Sequence, residues 1–475
     1  MNTKTIFYSA LTSCFILSNC WACTPKAVDF DPSIVNSSPD LIALIKADNN
    51  WLGFSNVGDT VIKVKPEKEV LPEKPSQLPD LGKIQKVLGK TRLVAVGGGL
   101  SAGFRDGGLY REGQLTAFPN LVARQMGIGF VQPLFSEAEG NGTGYKTVAK
   151  TEPLVSYNMV SNNLGVSKNG AETAYSKFAG GSAIDQMAFP EITKGLGYYN
   201  LQDPRINSHK YVDRVFSAAD REKYQKPSDW VEAQTADLFI FELGFDDTYR
   251  CVSSGGGGIS AGPLAGYVMT ASEFLWMKTL VVKKMNGVLL NVPHVLDFPY
   301  FQQITTEKVN KLGVKLFVQT SYGSDQFRPY DPSIDRLVPT ATTEKLLKGE
   351  LKGVVRLTDQ DVISQADGDF EINMVSPVDY NTFEVEREAK KLGWPVVDVY
   401  KLYQRILAGG YISNDGVPVL AAWPRGGNFF SADGIYPTAF GQAVIANEVI
   451  KTINQHYGLA IPLLQTRLFL KRTTL

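Results

Sequence analysis

Leu93-Val-Ala-Val-Gly97-Gly98-Gly99-Leu100-Ser101-Ala102-Gly103 is the stretch whose reading decides the fold. Four apolar residues end in three glycines. From about Gln114 a helical spacing then sets in, carried by Leu115, Phe118, Leu121, Val122 and Met126. A buried parallel strand, a sharp turn and a helix form the unit on which open α/β sheets place their ligands. Glycines in such a turn allow positive φ and let another group approach the backbone closely.

Outward from this unit the pattern repeats. Ala236-Asp-Leu-Phe-Ile-Phe-Glu-Leu243 and Gly287-Val-Leu-Leu-Asn-Val292 read as further buried strands, and Pro395-Val-Val-Asp-Val-Tyr400 as a short one. Phe178-Ala-Gly180-Gly181-Ser182-Ala183 reads as a turn before another apolar segment. Helices are expected over Thr270–Met285, Phe383–Leu392 and Thr438–Tyr457, the last amphipathic through Val444, Ile445, Val449, Ile450 and Ile453. Alternating strands and helices imply parallel crossovers and an α/β class. Gln132 to about Gly170, rich in Gly, Asn and Ser, reads as loop and short strand; Ile192–Gln234 reads as a partly helical surface insertion, and Phe301 to about Thr382 as a second insertion. The four glycines Gly255–Gly258 lack the Lys-Ser/Thr of a P-loop and read as a linker.

The blocks along this frame resemble those of the SGNH (GDSL-type) ester hydrolases. That family carries Gly-Asp-Ser-Leu-Ser/Thr-x-Gly after its first strand, where this chain has Gly97 to Gly103. The resemblance covers roughly Lys90 to Leu464. It implies a mainly parallel three-layer α/β/α sandwich of flavodoxin-like type with two insertions, at about 132–235 and 302–382. It also implies a serine nucleophile, a histidine base oriented by aspartate, and an oxyanion hole of two backbone amides and an asparagine.

Most of the family's catalytic side chains are missing at the matching positions. Gly99 stands at the serine and Gly98 at the preceding aspartate. Gly181, with Gly180 beside it, is the best match to the second-block glycine. In Gly244-Phe245-Asp246-Asp247 the asparagine position holds Asp246, whose carboxylate would accept hydrogen bonds and repel an oxyanion. The last block, Asp-x-x-His in the family, is Asp433-Gly434-Ile435-Tyr436: the aspartate stands and the base is a tyrosine, whose ordinary pKa near 10 makes a poor base at neutral pH. Ser101 matches the ordinary Ser/Thr of the first block and reads as a turn hydrogen-bonder. Of the three histidines, His209 lies in the first insertion and His456 near the end of the last helix; His294 alone follows a strand's C-terminal end, where a surface or structural role is the plainer reading than a catalytic one. Asp246, Asp247 and Asp433 would make a Ca²⁺ site only if they converged; turn and helix capping is the plainer reading. No cofactor and no metal is expected.

Lys4 followed by an apolar run from Ile6 to Leu17 reads as a signal peptide over residues 1–22. Ala22-Cys23 resembles a bacterial lipobox, with Cys23 as the lipidated residue and Cys20 as the alternative; a plain secreted protein is the reading without lipid. Only Cys251 lies in the body, so no disulfide framework is expected. Residues 23–88, broken by Pro25, Pro32, Pro39, Pro66, Pro72, Pro75 and Pro79, read as a tether, 89–464 as the domain and 465–475 as a tail. Forty-eight Lys and Arg balance 48 Asp and Glu in the 475 residues, which argues against nucleic acid.

The expectation is therefore a cell-envelope lipoprotein, held to the membrane by its lipid, with an inactive hydrolase-like domain that binds a ligand or partner. The lipoprotein branch it resembles points, by analogy, to the outer membrane and to a transport barrel as partner. Tyr198, Tyr199, Tyr211, Tyr224, Trp230, Tyr300, Phe301, Tyr322, Phe327 and Tyr330 are candidates for lining that surface, against the alternative that they pack the insertions. The competing function is an active hydrolase of esters or acylated sugars that uses displaced groups.

Overall fold

A computed structural model describes residues 57–62, 68–85, 89–169, 172–191, 209–246, 283–294, 297–320, 324–358, 360–364 and 385–470. The leader with Cys14, Cys20 and Cys23, Asp247, Cys251, the four glycines at 255–258, most of the helix expected from Thr270, and Tyr198, Tyr199 and Tyr322 lie outside the described residues.

The chain is an α/β protein built on a five-stranded parallel sheet. Its strands are β1 (Leu93–Gly97), β2 (Gln186–Ala188), β3 (Leu238–Glu242), β4 (Gly287–Leu290) and β5 (Val396–Val397). The spatial order is β5-β4-β3-β1-β2, and every pairing is parallel. Apolar runs without polar alternation suit strands covered on both faces, and every residue of β1, β3 and β4 is buried. Each fully buried Val, Leu, Ile or Phe contributes about 1.5–3 kcal/mol relative to exposure. The order reverses between β1 and β3: the chain leaves β1 for β2 on one side and later returns to β3 on the other.

The glycines after β1 lead into a one-turn helix, α1 (Gly99–Ala102), closed by Gly103 at φ +81°. The expected helix from Gln114 is split. A five-residue helix, Arg111–Leu115, ends at Thr116, and α2 (Phe118–Gln125) starts with Pro119 in its first turn. Val399 and Tyr400, expected to extend β5, instead open α3 (Val399–Leu407), because the Asp398 carboxylate accepts from Lys401 N and caps it. The last helix, α4 (Ala439–Tyr457), is capped by Thr438 and ends at Gly458 (φ +65°). It packs against α2 and β5.

The section from Gln132 to Gly170 is more regular than its composition suggested. Tyr145–Lys150 pairs antiparallel with Ser156–Val160, which pairs parallel with Val57–Ile62; Val166–Asn169 forms a hairpin with Glu172–Tyr175. Residues 209–234 are a correction of another kind. They form three short helices, but not a surface insertion: Tyr211, Trp230 and Phe216 are buried in the main core, with Phe216 edge-on to Trp230 at 4.9 Å. Tyr224, Tyr300 and Phe301 are buried as well, and only Phe327 and Tyr330 of the described candidates are half-exposed. Large rings gain most when packed, so the described aromatics mostly fill the interior.

Strands Lys315–Gln319, Phe327–Pro329 and Val354–Leu357, with the helix Ala341–Leu347, enclose a small second core of Leu316, Val318, Leu346 and Leu357. The stretches flanking the domain are also drawn in. Ile84 is fully buried, Arg124 donates to the Pro72 carbonyl, and Glu69 pairs with the buried Arg105, so residues 68–85 lie against the body. Asp415 accepts from Thr466 Oγ1 and Arg467 N, and Phe469 is buried, so the stretch after Leu464 is packed through Phe469.

Candidate functional site

The carboxyl ends of β1 and β3 meet where the strand order reverses, which is where open α/β sheets hold their ligands. Two carboxylates from the end of β3 meet the glycine turn there. Glu242, the last residue of β3, turns its side chain back onto the turn. Its Oε2 accepts from Gly98 N (3.2 Å), Ser101 N (3.2 Å) and Ser101 Oγ (3.0 Å). Ser101 is fully buried, and its hydroxyl serves this turn.

Asp246 lies four residues further on, past Gly244 at φ +106°. Its Oδ2 accepts from Gly99 N (2.8 Å) and from Glu191 N (2.9 Å), and its Oδ1 accepts from the Tyr436 hydroxyl (2.9 Å). Asp246 is 1% exposed and Tyr436 0%. The Tyr436 ring is wedged between Phe104 and Phe245, with centroids 5.0 and 5.2 Å away.

This packing crowds both glycines. A Cβ on Gly98 would lie 2.8 Å from the Asp246 carboxylate. A Cβ on Gly99 would lie 3.1 Å from both Cε1 and the hydroxyl of Tyr436. The position expected to carry an attacking oxygen is bare backbone, and its space belongs to the phenol.

Asp433 is spent on backbone. Its Oδ1 accepts from Ile435 N and Tyr436 N (2.8 Å each), and its Oδ2 from Gly107 N (3.0 Å). These bonds fix the turn that aims Tyr436. Asp106 braces the same turn from the other side: its N–H donates to Ser431 Oγ and its carboxylate accepts from Ala432 N. Asp246 and Asp433 thus each serve their own donors and do not converge on an ion. Among the described residues no group of His, Cys, Asp and Glu could hold a metal.

The electrostatics follow from burial. Desolvation, and then the Asp246 charge, push the Glu242 carboxyl up to about 8, so it carries its proton at neutral pH. Burial, with the Asp106 charge behind it, raises Asp433 to about 6. Buried Lys146, whose stem packs under Gly107, is pulled down to about 7 by desolvation against the favourable charge of Asp433. Burial likewise raises the Tyr157 and Tyr403 hydroxyls well above their ordinary range.

Gly181 does not belong to the site. It precedes β2, donates its N–H to the Phe178 carbonyl and lies near the Val215 carbonyl, at the start of the strand and away from the glycine turn. The amide that enters the site is that of Glu191, three residues past the end of β2. Glu191 has φ +68°, a conformation that favours glycine, and a glutamate there gave no sign in the sequence. His209 stands behind it. Its Nδ1 accepts from Val212 N, and burial holds the ring neutral, with its pKa lowered to about 4. His294 lies 3.7 Å from Asp297, and His456 contacts the Gly393 carbonyl from α4.

The site thus has two convergent amides, a phenol and two buried carboxyl groups, and among the described residues neither an exposed nucleophile nor a neutral base stands beside Gly99. Comparison with known proteins finds no match to the chain among family models, curated proteins or solved structures.

Proposed function

We propose that this chain is a cell-envelope lipoprotein with an SGNH/GDSL-hydrolase-like, three-layer α/β/α domain that has lost its chemistry and acts by binding a ligand or a membrane-protein partner. One observation carries the loss of chemistry. Gly99 offers no oxygen, and the Tyr436 hydroxyl lies 3.1 Å from where its Cβ would be. Acyl transfer needs a nucleophile, a base within hydrogen-bond reach and an open oxyanion hole. Here the first is missing, the second is a phenol already donating to Asp246, and the third holds a carboxylate.

Several features support the kinship. The strand order 2-1-3-4-5 is the flavodoxin-like one, the site sits at its switch point, and the Gly-rich block, the Asp246 block and the Asp433–Tyr436 block come together at that end of the sheet. On this reading Cys23, or Cys20 in its place, carries the acyl chains. The lipid is then the proposed means of attachment; among the described residues no helix is long and apolar enough to cross a membrane. The outer membrane and a transport barrel remain the proposed location and partner, by analogy alone.

The test is direct. The purified full-length chain is incubated with p-nitrophenyl esters and a fluorophosphonate probe. No turnover above a heat-treated control and no labelled serine are expected; stoichiometric labelling of one serine overturns the loss of chemistry and favours an active hydrolase with displaced groups. Intact mass of the membrane-extracted protein decides the lipid on Cys23 or Cys20, and crosslinking before solubilisation identifies the partner.

A further inference from the structure

The arrangement around Asp246 has a meaning that does not depend on descent from a hydrolase. Three donors from three separate parts of the chain point at one carboxylate: Gly99 N from the turn after β1, Glu191 N from the turn after β2, and the Tyr436 hydroxyl from the turn before α4. Two serve Oδ2 and one serves Oδ1, and Asp246 is almost wholly buried. Glu191 holds a left-handed backbone, at φ +68°, to present its amide. Buried N–H groups demand an acceptor, and leaving one without costs about 1–3 kcal/mol.

We infer that the amides of Gly99 and Glu191 and the Tyr436 hydroxyl form a receptor for a single carboxylate, and that Asp246 is its built-in occupant, an autoinhibitory contact that keeps external carboxylates out. The tether gives Asp246 an effective concentration that a free acid at millimolar levels does not match. Truncating the side chain therefore converts a closed contact into an open binding site for a small monocarboxylate. Asp→Ala keeps the Cβ and removes the volume of one carboxylate, so formate is the fitting probe.

The experiment is a chemical rescue. Wild type and Asp246→Ala, both full chain, are melted in sodium formate, sodium chloride of equal ionic strength, and formamide. Asp246→Ala is expected to melt lower than wild type. Formate at about 100 mM should raise its Tm by about 2 °C or more beyond chloride and formamide, while wild type shows no such difference. Equal shifts of the variant in formate and chloride, or equal responses of variant and wild type, overturn the proposal. Where Asp246→Ala fails to fold, Asp246→Asn and Asp246→Leu decide. Asn retains an acceptor oxygen for the amides and Leu has none. The proposal expects Asn to fold and Leu to be far less stable or insoluble, and is overturned if the two are equally stable. Ester hydrolysis enters none of these readouts, so failure here and failure of the proposed function are separate results.

Discussion

Adding one methyl group at Gly99 measures how tightly Tyr436 closes the site. Gly99 is not in the left-handed region, so alanine meets no backbone penalty there and gains up to about 1 kcal/mol of helix propensity. The neighbours object instead. The new Cβ would sit 3.1 Å from Tyr436 Cε1, 3.1 Å from its hydroxyl and 3.2 Å from Phe104 Cβ, where carbon contacts prefer about 3.5–4.0 Å. The ring has to retreat by a few tenths of an ångström, which stretches its 2.9 Å bond to Asp246. Overpacking of this kind costs about 1–3 kcal/mol. Tyr436→Leu removes Cε1 and the hydroxyl while keeping bulk in the core. In that background Gly99→Ala should cost about 1–2 kcal/mol less, the remaining strain coming from Phe104. Urea unfolding of wild type, both single variants and the double variant, followed by tryptophan fluorescence, closes the cycle. If Gly99→Ala costs the same in both backgrounds to within about 0.5 kcal/mol, Tyr436 does not occupy that space and the reasoning fails.

Glu242 should leave its mark on pH dependence. Its folded pKa is raised to about 8, so between its ordinary value and 8 the folded chain holds a proton that the unfolded chain has released. Stability then falls as pH rises through that window, by up to about 1.4 kcal/mol per unit. Asp433 acts with the same sign but only up to about 6. Lys146, depressed to about 7, acts oppositely above that pH and does so in both proteins. Unfolding curves from about pH 6.5 to 8 should therefore slope downward more in wild type than in Glu242→Gln, and parallel slopes would remove Glu242 as the cause. Glu69→Ala strips the buried Arg105 of its closest carboxylate and should cost about 3 kcal/mol, with earlier proteolysis within residues 68–85 as a second readout. Gly287→Ala drives a Cβ to 2.5 Å from the Trp394 ring, which stacks on Phe239 and Phe241 and donates to the Met285 carbonyl; a loss of about 2–3 kcal/mol in chemical denaturation is expected. Under the proposed kinship, Gly99→Ser with Tyr436→His and Asp246→Asn should acquire fluorophosphonate labelling at the introduced serine, and no labelling would mean the scaffold has lost more than these three side chains.

The amino-acid sequence alone determined the elements whose burial is uniform or strictly periodic, and the chemistry that is absent. Leu93–Gly97 and Leu238–Glu242 announce themselves because strands covered on both faces need unbroken apolar runs, and Ala439–Tyr457 because its apolar residues recur every three to four positions in its second half, while its first nine residues are buried on every face. That Gly99 lacks an oxygen and that Tyr436 is no base are properties of side chains, readable without any fold. Tertiary structure alone decided which groups fill the vacated space. β2 spans only three residues and was hidden by the turns around it; the amide of Glu191 is backbone, which every residue but proline offers, so its role leaves no trace in residue type. The burial of Tyr211 and Trp230, the pairing of Glu69 with Arg105, and the seat of Asp246 between Gly99, Glu191 and Tyr436 likewise join positions far apart in the chain. Side-chain chemistry is local and written residue by residue, whereas satisfaction of buried donors is a long-range condition that only the folded chain can meet.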